Sequence, residues 1–380
     1  MIHRIKLFIY QIFRFLKIKK RVMFFSYYGE NYGGSPKYIS EYILKNDIQL
    51  PIVWAFIKPD NFVFLKDNCI LVKYHSIKYF YYLATSKIII TNYRMTTDFI
   101  KRKNQYYIQT WHSSLRLKQI EKDAENYLLP NYIQMAKRDS KQIDLVLTGS
   151  KKSKKIFQNS FWYEGDYLDC GTPQCDLFFS ENQVIDDKVR RYFNLSDNVH
   201  IALYAPTFRK NHKLDAYDLD YEMLLQSLEK KFGGEWVLLI RLHPHLKYIS
   251  QQMQYSEKII HASNYDDVQE LLYCTDFLVT DYSAIMFDYL VTKKPCLLYL
   301  PDLNDYIKNE RALYFDIKSL PFLKCYDNQE IKKIIEEFKI ETYLSKCESF
   351  ITNDIQSYDS GFACEKVYKR ILEEMANEEI

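Results

Sequence analysis

The sequence contains little glycine and no glycine-rich loop. Only 9 of its 380 residues are glycine, and the only adjacent pairs are Gly33–Gly34 and Gly233–Gly234. P-loops and the dinucleotide-binding fingerprint both need several closely spaced glycines to let the backbone approach a phosphate. Neither of these nucleotide-binding motifs is present.

The sequence also lacks long apolar runs, a large net charge and cysteines at metal-binding spacings. The apolar runs are far shorter than the roughly 20 residues that span a bilayer, and no signal-peptide cleavage site is evident. A formal charge of only +3 excludes a polycation built for nucleic acid. The eight cysteines have no metal-binding spacing, so reduced thiols in a cytosolic protein are the simplest account. They are Cys69, Cys170, Cys175, Cys274, Cys296, Cys325, Cys347 and Cys364.

The sequence contains enough hydrophobic residues to form more than one hydrophobic core. Hydrophobic residues make up 47% of the chain and charged residues 27%, which excludes wholesale disorder. At about 150 residues per domain, this length predicts two domains.

Short apolar runs alternate with helical patterns along the first half. Strands that are continuously apolar and alternate with helices indicate a parallel sheet covered on both faces. The predicted strands are Val22 to Tyr28, Pro51 to Ile57, Cys69 to Val72, Lys87 to Asn92, Gln105 to Trp111 and Asp144 to Thr148, with helices at Lys37 to Lys45 and Ile77 to Ala84.

The same pattern restarts after a polar stretch, which places a domain boundary near residue 185. No internal repeat is evident. Ligands bind beyond the carboxyl ends of parallel strands, so residues just after each run are candidates for chemistry. The strands predicted in this half are His200 to Ala205, Trp236 to Arg241, Lys258 to His261, Asp276 to Thr280 and Pro295 to Leu300.

The first 21 residues mix basic and apolar side chains with almost no acid. This composition is typical of an amphipathic helix on an anionic membrane surface, which predicts a peripheral protein on the cytoplasmic face. The alternative is an ordinary first helix packed on its domain. The basic residues are His3, Arg4, Lys6, Arg14, Lys17, Lys19, Lys20 and Arg21.

Trp111 and His112 directly follow one predicted strand. A histidine at a strand's carboxyl end is well placed to act as a general base, because its ordinary pKa lies near 6.5. The alternative is a histidine that serves only as a structural hydrogen-bonding group.

Arg241, His243 and His245 follow a buried strand of the second half, with Pro244 between the histidines. Arginine and histidine together can hold phosphate oxygens and assist a leaving group. A zinc site is the rival interpretation, but no third ligand is evident in the sequence.

Thr280 to Asp288 ends a strand and opens an apolar helix, with Ser283 as the candidate N-cap. The free N–H groups of a helix start can bind a diphosphate, although such a segment is often only a well-capped helix. Pro206 to Arg209 follows another strand of this half and adds Arg209 as a second guanidinium.

Taken in order, these segments resemble the CDP-glycerol glycerophosphotransferase family, which includes the primases and polymerases of wall teichoic acid. The resemblance extends over roughly residues 22 to 320. Its segments are Tyr107 to Lys118 (YIQTWHSSLRLK), Leu203 to Arg209 (LYAPTFR), Arg241 to Pro244 (RLHP), Thr280 to Asp288 (TDYSAIMFD), Lys294 to Tyr299 (KPCLLY) and Arg311 to Tyr314 (RALY).

The resemblance implies an α/β fold of the GT-B type, with two Rossmann-like domains facing across a cleft. With the basic segment at 1–21 and the boundary near residue 185, both read from the sequence pattern, the chain is predicted to have four parts. They are a membrane-associating segment at 1–21, an acceptor domain at 22–185, a CDP-donor domain at 186–350, and a C-terminal part at 351–380. A helix at Glu365 to Ala376 in this last part would cross back to the first domain.

The implied reaction is attack by an acceptor hydroxyl on the β-phosphorus of CDP-glycerol, which transfers glycerol phosphate and releases CMP without a cofactor or metal. His112 is the implied base and His243 assists at the phosphates. The implied acceptor-side residues are Trp111, Ser113 and Lys118. The implied donor-binding residues are Thr207, Arg209, Arg241, Asp281, Ser283, Ala284 and Arg311.

Three departures from the family pattern bear on the substrates. Ser113 stands where a glycine is usual and adds bulk on the acceptor side, so the identity of the acceptor is left undecided. Ala284 replaces a serine, and Gln174 stands in place of a common arginine.

The expected partners are CDP-glycerol, a lipid-linked saccharide or glycerol phosphate acceptor in teichoic acid or capsule assembly, and an anionic membrane surface. Nucleic acid is not expected, and the sequence is compatible with a homo-oligomer. A CDP-ribitol transferase, a GT-B glycosyltransferase that uses a nucleotide sugar, and a non-catalytic membrane scaffold are the alternatives.

Overall fold

A computed structural model describes residues 2–209, 217–242, 246, 253, 255–309 and 311–377. The chain forms two compact units. The first contains Met1–Ser114, Ile120–Asp176 and Ser357–Ile380, and the second contains Leu115–Gln119 and Leu177–Gln356. The chain therefore leaves the first unit at Asp176, shortly before the boundary predicted near residue 185.

The first unit is built on a parallel sheet with the order β3-β2-β1-β4-β5-β6-β7 among the described residues. Its central strands are buried along most of their length, as expected for a sheet covered on both faces. The edge strand β7 was not predicted, because its sequence Asp-Tyr-Leu-Asp is short and polar. The strands are β1 Lys19–Phe25, β2 Ile52–Phe56, β3 Ile70–Lys73, β4 Ser86–Thr91, β5 Tyr106–Gln109, β6 Leu145–Thr148 and β7 Asp166–Asp169.

Helices connect these strands, and two of them begin at serines that cap the first turn. The Ser76 side chain accepts a hydrogen bond from the N–H of Tyr79, and Ser150 forms a reciprocal capping box with Ser153. The helices are α1 Ile2–Phe13, α2 Gly34–Asn46, α3 Ile77–Thr85, α4 Pro130–Ser140 and α5 Lys151–Ser160, and shorter 3-10 segments lie at Tyr27–Gly29, Pro59–Leu65, Glu121–Tyr127 and Pro173–Phe179.

The second unit repeats this architecture with the sheet order β10-β9-β8-β11-β12-β13 among the described residues. All of its strand pairs are parallel. Its strands are β8 Val199–Tyr204, β9 Glu235–Ile240, β10 Ile259–His261, β11 Phe277–Thr280, β12 Cys296–Tyr299 and β13 Leu323–Cys325. Its helices are α6 Gln183–Phe193, α7 Tyr221–Phe232, α8 Val268–Cys274, α9 Ile285–Leu290, α10 Leu303–Asn309, α11 Asn328–Glu336 and α12 Ile340–Ser349, with a 3-10 turn at Ile317–Ser319 and a π-helical turn at Phe350–Ile355.

A short segment from the first half of the chain, Leu115–Gln119, belongs to the second unit. The N–H of Gln119 donates to the carbonyl of Ala312 at 2.8 Å, and the N–H of Tyr314 donates to the carbonyl of Leu117 at 2.7 Å. The intervening Lys118 pairs with Leu313 in an antiparallel bridge. The motif around His112 is therefore divided between the two units.

The C-terminal helix α13, Ala363–Ala376, belongs to the first unit and begins two residues before its predicted start at Glu365. The Asp176 carboxylate accepts hydrogen bonds from the N–H groups of Ala363 at 3.0 Å and Cys364 at 2.7 Å. Asp176 thus caps a helix whose residues lie almost two hundred positions later in the chain.

Helix α1 packs on α3 through one side. Tyr10 is fully buried, and its ring lies 5.3 Å from that of Phe80. The other side leaves Phe8 68% exposed, and Phe15, in the turn just after the helix, is 90% exposed. Within the described residues, no helix is both long and apolar enough to cross a membrane.

The basic side chains of the first 21 residues do not all lie on this exposed surface. The strand β1 already begins at Lys19, and Arg21 is buried, with its guanidinium 4.4 Å from the ring of Tyr82. The predicted amphipathic helix therefore ends at Phe13, and Arg21 is part of the core.

Candidate functional site

His112 lies in a sharp turn at the carboxyl end of β5. The preceding residue, Trp111, is buried and has a left-handed backbone with φ of 55°. Its N–H donates to Oε1 of Gln109 at 2.9 Å, which fixes the turn. The imidazole of His112 is solvent-exposed, with its centroid 4.7 Å from that of the Trp111 ring. The structure thus presents His112 at the strand end, where the sequence predicted a general base.

A buried ionic cluster lies against the Trp111 ring. Arg94 donates to Glu121 at 3.0 Å and to Asp139 at 3.3 Å, and all three side chains are at most 2% exposed. The guanidinium lies 5.7 Å from the Trp111 ring centroid. Burial raises the pKa of Asp139 to about 6, although Arg94 opposes the shift.

Gln109 connects this cluster to the turn. Its Nε2 donates to the hydroxyl of Tyr107 at 3.1 Å and to the carbonyl of Tyr93 at 2.8 Å. The Tyr107 hydroxyl in turn donates to Asp139 at 3.2 Å. A continuous buried chain of hydrogen bonds therefore runs from Asp139 to the main chain of Trp111, next to His112.

The three residues predicted on the acceptor side are divided between the units. Trp111 and Ser113 lie in the first unit, where Ser113 is buried and follows His112. Lys118 lies in the second unit, where its ammonium is 5.3 Å from the ring centroid of Tyr306.

In the second unit, Asp281 joins the loops that follow β8 and β11. Its carboxylate accepts hydrogen bonds from the N–H of Thr207 at 2.9 Å and from its neighbour Tyr282 at 2.6 Å. The hydroxyl of Thr207 is shielded from solvent and has no hydrogen-bond partner in the part of the chain that the structure describes. Asp281 therefore organises the strand edge, and Thr207 supplies a polar group there.

Arg209 is buried and forms its ion pairs within the second unit. It pairs with Asp281 at 2.9 Å and with Asp302 at 2.7 Å, and it is 2% exposed. Its guanidinium also lies 4.9 Å from the Tyr282 ring. Two carboxylates neutralise its charge, so it supports the loops instead of presenting the phosphate-binding guanidinium that the sequence suggested.

Arg241 has a similar role at the end of β9. Its guanidinium donates to the main-chain carbonyls of Ala262, Tyr265 and Asp266, with distances of 3.3 Å to Ala262 and 3.4 Å to Asp266. It thereby holds the loop that follows β10. Part of its side chain remains accessible.

The start of α9 differs by one residue from the prediction. Ala284, not Ser283, occupies the N-cap position, and it has no side chain that could cap the helix. The side-chain hydroxyl of Ser283 accepts a long hydrogen bond of 3.4 Å from the N–H of Ile285. Arg311 is half-buried, next to the Ala312 carbonyl that accepts from Gln119.

His243, Pro244 and His245 lie outside the described residues. The prediction that His243 assists at the phosphates, and the rival zinc site at His243 and His245, both fall on this segment.

Comparison with protein families decides the affiliation of the chain. Residues 7–373 match the family described as CDP-Glycerol:Poly(glycerophosphate) glycerophosphotransferase. The chain belongs to this family. The affiliation confirms the resemblance seen in the sequence motifs.

Several members of the glycerophosphotransferase family are similar over most of this chain. The teichoic acid poly(glycerol phosphate) polymerase of Bacillus spizizenii is 28% identical over 93% of this chain and 92% of its own length. The polymerase of the same name from Staphylococcus epidermidis is 31% identical over 80% of this chain, which spans only 43% of that protein. A teichoic acid poly(ribitol-phosphate) polymerase of B. spizizenii is 28% identical over 96% of this chain and 58% of its own length.

Solved structures of family members confirm the fold. The wall teichoic acid polymerase TagF superimposes with a TM-score of 0.83 and 28% identity over 98% of this chain and 94% of that chain. Another structure, of a histidine-to-asparagine variant of TagF soaked with CDPG, has a TM-score of 0.82 and 27% identity over 97% of this chain and 94% of that chain. The predicted α/β class with two Rossmann-like domains of the GT-B type is therefore correct.

The residues that support the site were not predicted from the sequence. Gln109 and Arg94 gave no signal, because their partners are distant in sequence or are main-chain groups. Asn92 did carry a sequence signal. Thr91-Asn92-Tyr93 matches Thr280-Asp281-Tyr282 in all but the middle residue, and each segment begins at the last residue of the corresponding strand, β4 or β11.

Proposed function

We propose that this protein transfers glycerol phosphate from CDP-glycerol to a hydroxyl of a lipid-linked or polymer acceptor in teichoic acid or capsular polymer assembly. The family match over residues 7–373 carries the proposal. The exposed His112 at the end of β5 supports it, because the reaction needs a base that solvent and substrate can reach.

In this reaction His112 takes the proton from the acceptor hydroxyl, whose oxygen attacks the β-phosphorus of CDP-glycerol. The new bond joins the acceptor oxygen to that phosphorus. The bond from the β-phosphorus to the bridging oxygen breaks, and CMP leaves with that oxygen. Catalysis then depends on positioning and on stabilising charge at the phosphates. His243 is the candidate for the second role, by its match to the family motif.

We place the donor at the carboxyl ends of β8 and β11. The strand order of the second sheet reverses between these two strands, and such a switch point is where α/β sheets bind ligands. The buried Thr207 hydroxyl supports this placement. Lys118, which the family resemblance implied on the acceptor side, lies in the second unit with Arg311, and both are partly accessible. We therefore assign both cations to the diphosphate.

CMP release tests the reaction class. Purified protein is offered CDP-glycerol, CDP-ribitol or a panel of nucleotide sugars, each with a lipid-linked disaccharide or glycerol phosphate acceptor. We expect CMP from CDP-glycerol, abolished by His112→Ala. The matched control is His200→Ala, which removes a half-exposed histidine near the amino end of β8 and should retain activity.

Other outcomes of this assay would replace the proposal. Turnover of CDP-ribitol alone would make the protein a ribitol phosphate transferase, which its similarity to a poly(ribitol-phosphate) polymerase favours as the second candidate. Turnover of a nucleotide sugar alone would make it a glycosyltransferase. No affinity for any nucleotide would indicate a non-catalytic scaffold.

We also propose that α1 attaches the protein to an anionic membrane surface from the cytoplasmic side. Ile5, Phe8, Ile12, Phe15 and Leu16 expose between 43% and 90% of their surface, and Arg4, Lys17, Lys19 and Lys20 are exposed near them in sequence. Apolar side chains that insert beside basic ones are the features that bind an anionic interface.

Sedimentation with anionic vesicles tests the attachment. Phe8→Ser combined with Phe15→Ser should release the protein into the supernatant, because it removes inserted rings and leaves the buried Tyr10 in place. Phe64→Ser, at a ring 64% exposed elsewhere in the first unit, is the control. Equal sedimentation of the double variant and the control would contradict the attachment through α1.

A further inference from the structure

The turn that follows β1 has an unusual backbone. Tyr27, Tyr28 and Gly29 are consecutive residues with φ of 46°, 57° and 83°, in the left-handed region that bulky side chains rarely adopt. The N–H of Tyr27 donates to Oδ1 of Asn92 at 3.0 Å. The carbonyl of Gly29 accepts from the N–H of Ile57 at 2.7 Å. The structure on both sides therefore enforces a strained turn, and such strain concentrates at binding and catalytic sites.

This turn places the Tyr28 ring over the ring of Tyr93. The two ring centroids are 4.0 Å apart, and the ring planes are tilted by 34°. Tyr93 is buried, whereas Tyr28 is 43% exposed. Because Tyr93 covers one face of the Tyr28 ring, the exposed area includes the opposite face. The turn thus presents to solvent an aromatic face that is backed by a second ring, and we call this pair of rings the Tyr28 platform.

The Tyr28 platform lies at the same edge of the sheet as His112. Tyr28 follows β1, His112 follows β5, and β4 lies between these strands. Neighbouring strands are about 4.8 Å apart, so the two strand ends are separated by roughly 10 Å. Gln109 links them, since it donates to the carbonyl of Tyr93 and accepts from the N–H of Trp111. An acceptor can therefore place its reacting hydroxyl at His112 and another part over the platform.

The charges near the platform are predominantly negative. Burial raises the pKa of Tyr28, and the carboxylates of Asp139 and Glu121 raise it further, against the opposing effect of Arg94. A phosphate brought to this place would be repelled by two carboxylates and attracted by one guanidinium. A sugar ring carries no charge, and its C–H bonds pack favourably on the electron-rich face of an aromatic ring.

We propose that the Tyr28 platform binds a sugar ring of the acceptor and so selects a saccharide acceptor over one that ends in glycerol phosphate. This assignment rests on the proposed function and deepens it by naming the class of acceptor. The cytosine of the donor is the other ring that can stack on a tyrosine, and its binding at the platform would appear in the donor KM.

Replacement of Tyr28 by leucine tests the platform, because it removes the aromatic face and keeps an apolar side chain. In Tyr28→Leu we expect the KM for a lipid-linked disaccharide acceptor to rise about tenfold. The KM for a glycerol phosphate acceptor and the KM for CDP-glycerol should stay within about twofold of wild type. Tyr28→Phe keeps the ring and should retain the wild-type constants. Tyr28→Gly suits the left-handed backbone and should reproduce the loss without strain in the turn.

Tyr192→Leu is the matched control. Tyr192 is 56% exposed, and its ring centroid lies 5.0 Å from that of Tyr265 in the second unit. This variant should alter none of these constants. An equal rise in KM for both acceptors in Tyr28→Leu and Tyr28→Gly would overturn the selection of a sugar. A rise in the donor KM alone would overturn it as well, because the platform would then bind cytosine.

Binding without donor separates the platform from the proposed reaction. Calorimetry with a short-chain lipid-linked disaccharide should show an affinity about tenfold weaker in Tyr28→Leu and unchanged in Tyr28→Phe, even if no transfer is detected. Equal affinity of wild type and Tyr28→Leu, at equal Tm, would overturn the platform and leave CMP release by the proposed reaction intact. Failure of the disaccharide to bind the wild-type protein would also overturn the platform.

Discussion

The side-chain oxygen of Gln109 and the main-chain N–H of Trp111 form a 2.9 Å hydrogen bond that holds a left-handed residue next to His112. A bulky residue with positive φ is uncommon and needs support from its surroundings. The position of the proposed base therefore depends on a buried amide that does not itself touch substrate.

Gln109→Ala should lower kcat at least tenfold and leave the donor KM nearly unchanged, because the turn before His112 loses its support. Steady-state CMP release measures both constants. Gln105→Ala is the matched control: Gln105 is equally buried and donates to the carbonyls of Leu83 and Ser86, just before β5. An equal loss of kcat in both variants would mean that the effect is general destabilisation.

Arg209→Ala should destabilise the second unit by about 3–5 kcal/mol, because it leaves the buried Asp281 and the Asp302 carboxylate without their cation. Urea unfolding followed by tryptophan fluorescence measures the change. Lys230→Ala, which removes an exposed ion pair with Glu336, should leave the unfolding midpoint in place. A folded Arg209→Ala protein of wild-type stability that fails to bind CDP-glycerol would instead return Arg209 to the role of donor ligand.

The free energy of unfolding should depend on pH through Asp139. Its folded pKa of about 6 lies above the ordinary value of 3.8, so between these values the folded protein binds more protons than the unfolded chain. Its contribution is therefore fully present below about pH 4 and is lost as the pH rises to about 6. Asp139→Asn should remove this slope from urea titrations at pH 4, 5 and 6, and identical slopes in the two proteins would contradict the assignment.

Asp176→Ala should loosen α13 by removing the carboxylate that accepts from Ala363 and Cys364, at a cost of about 1–2 kcal/mol. Hydrogen exchange of the α13 amides should accelerate. Asp327→Ala removes the equivalent cap of α11 in the second unit and should accelerate exchange only there. Unchanged α13 protection in Asp176→Ala would show that packing alone holds this helix.

The sequence predicted the sheet interiors and one edge strand of each sheet, β3 and β10, but missed the other edge of each sheet. Central strands such as β4 bury nearly every residue, so their apolar runs are visible in the sequence. The edge strands β7 and β13 are short and partly exposed, and neither was predicted. Their pairing depends on a neighbouring strand, which no local pattern records.

The sequence predicted which loops form the candidate site, but it did not predict where their side chains point. Arg209 follows β8 as expected, yet its partner Asp302 lies 93 residues later, and only the fold brings the two together. Asn92 shows the opposite case. Its match to the Thr-Asp-Tyr segment is visible in the sequence. That the two segments lie at corresponding strand ends is visible only in the fold.

The contact between Asp176 and the start of α13 has a consequence for how the protein is made. A ribosome synthesises the polypeptide from its amino end, so the first sheet emerges long before the helix that packs on it. The second unit, by contrast, has all its elements once Gln356 has been synthesised. The earlier half of the chain must therefore wait in an unfinished state until α13 has been translated and completes the unit that began first.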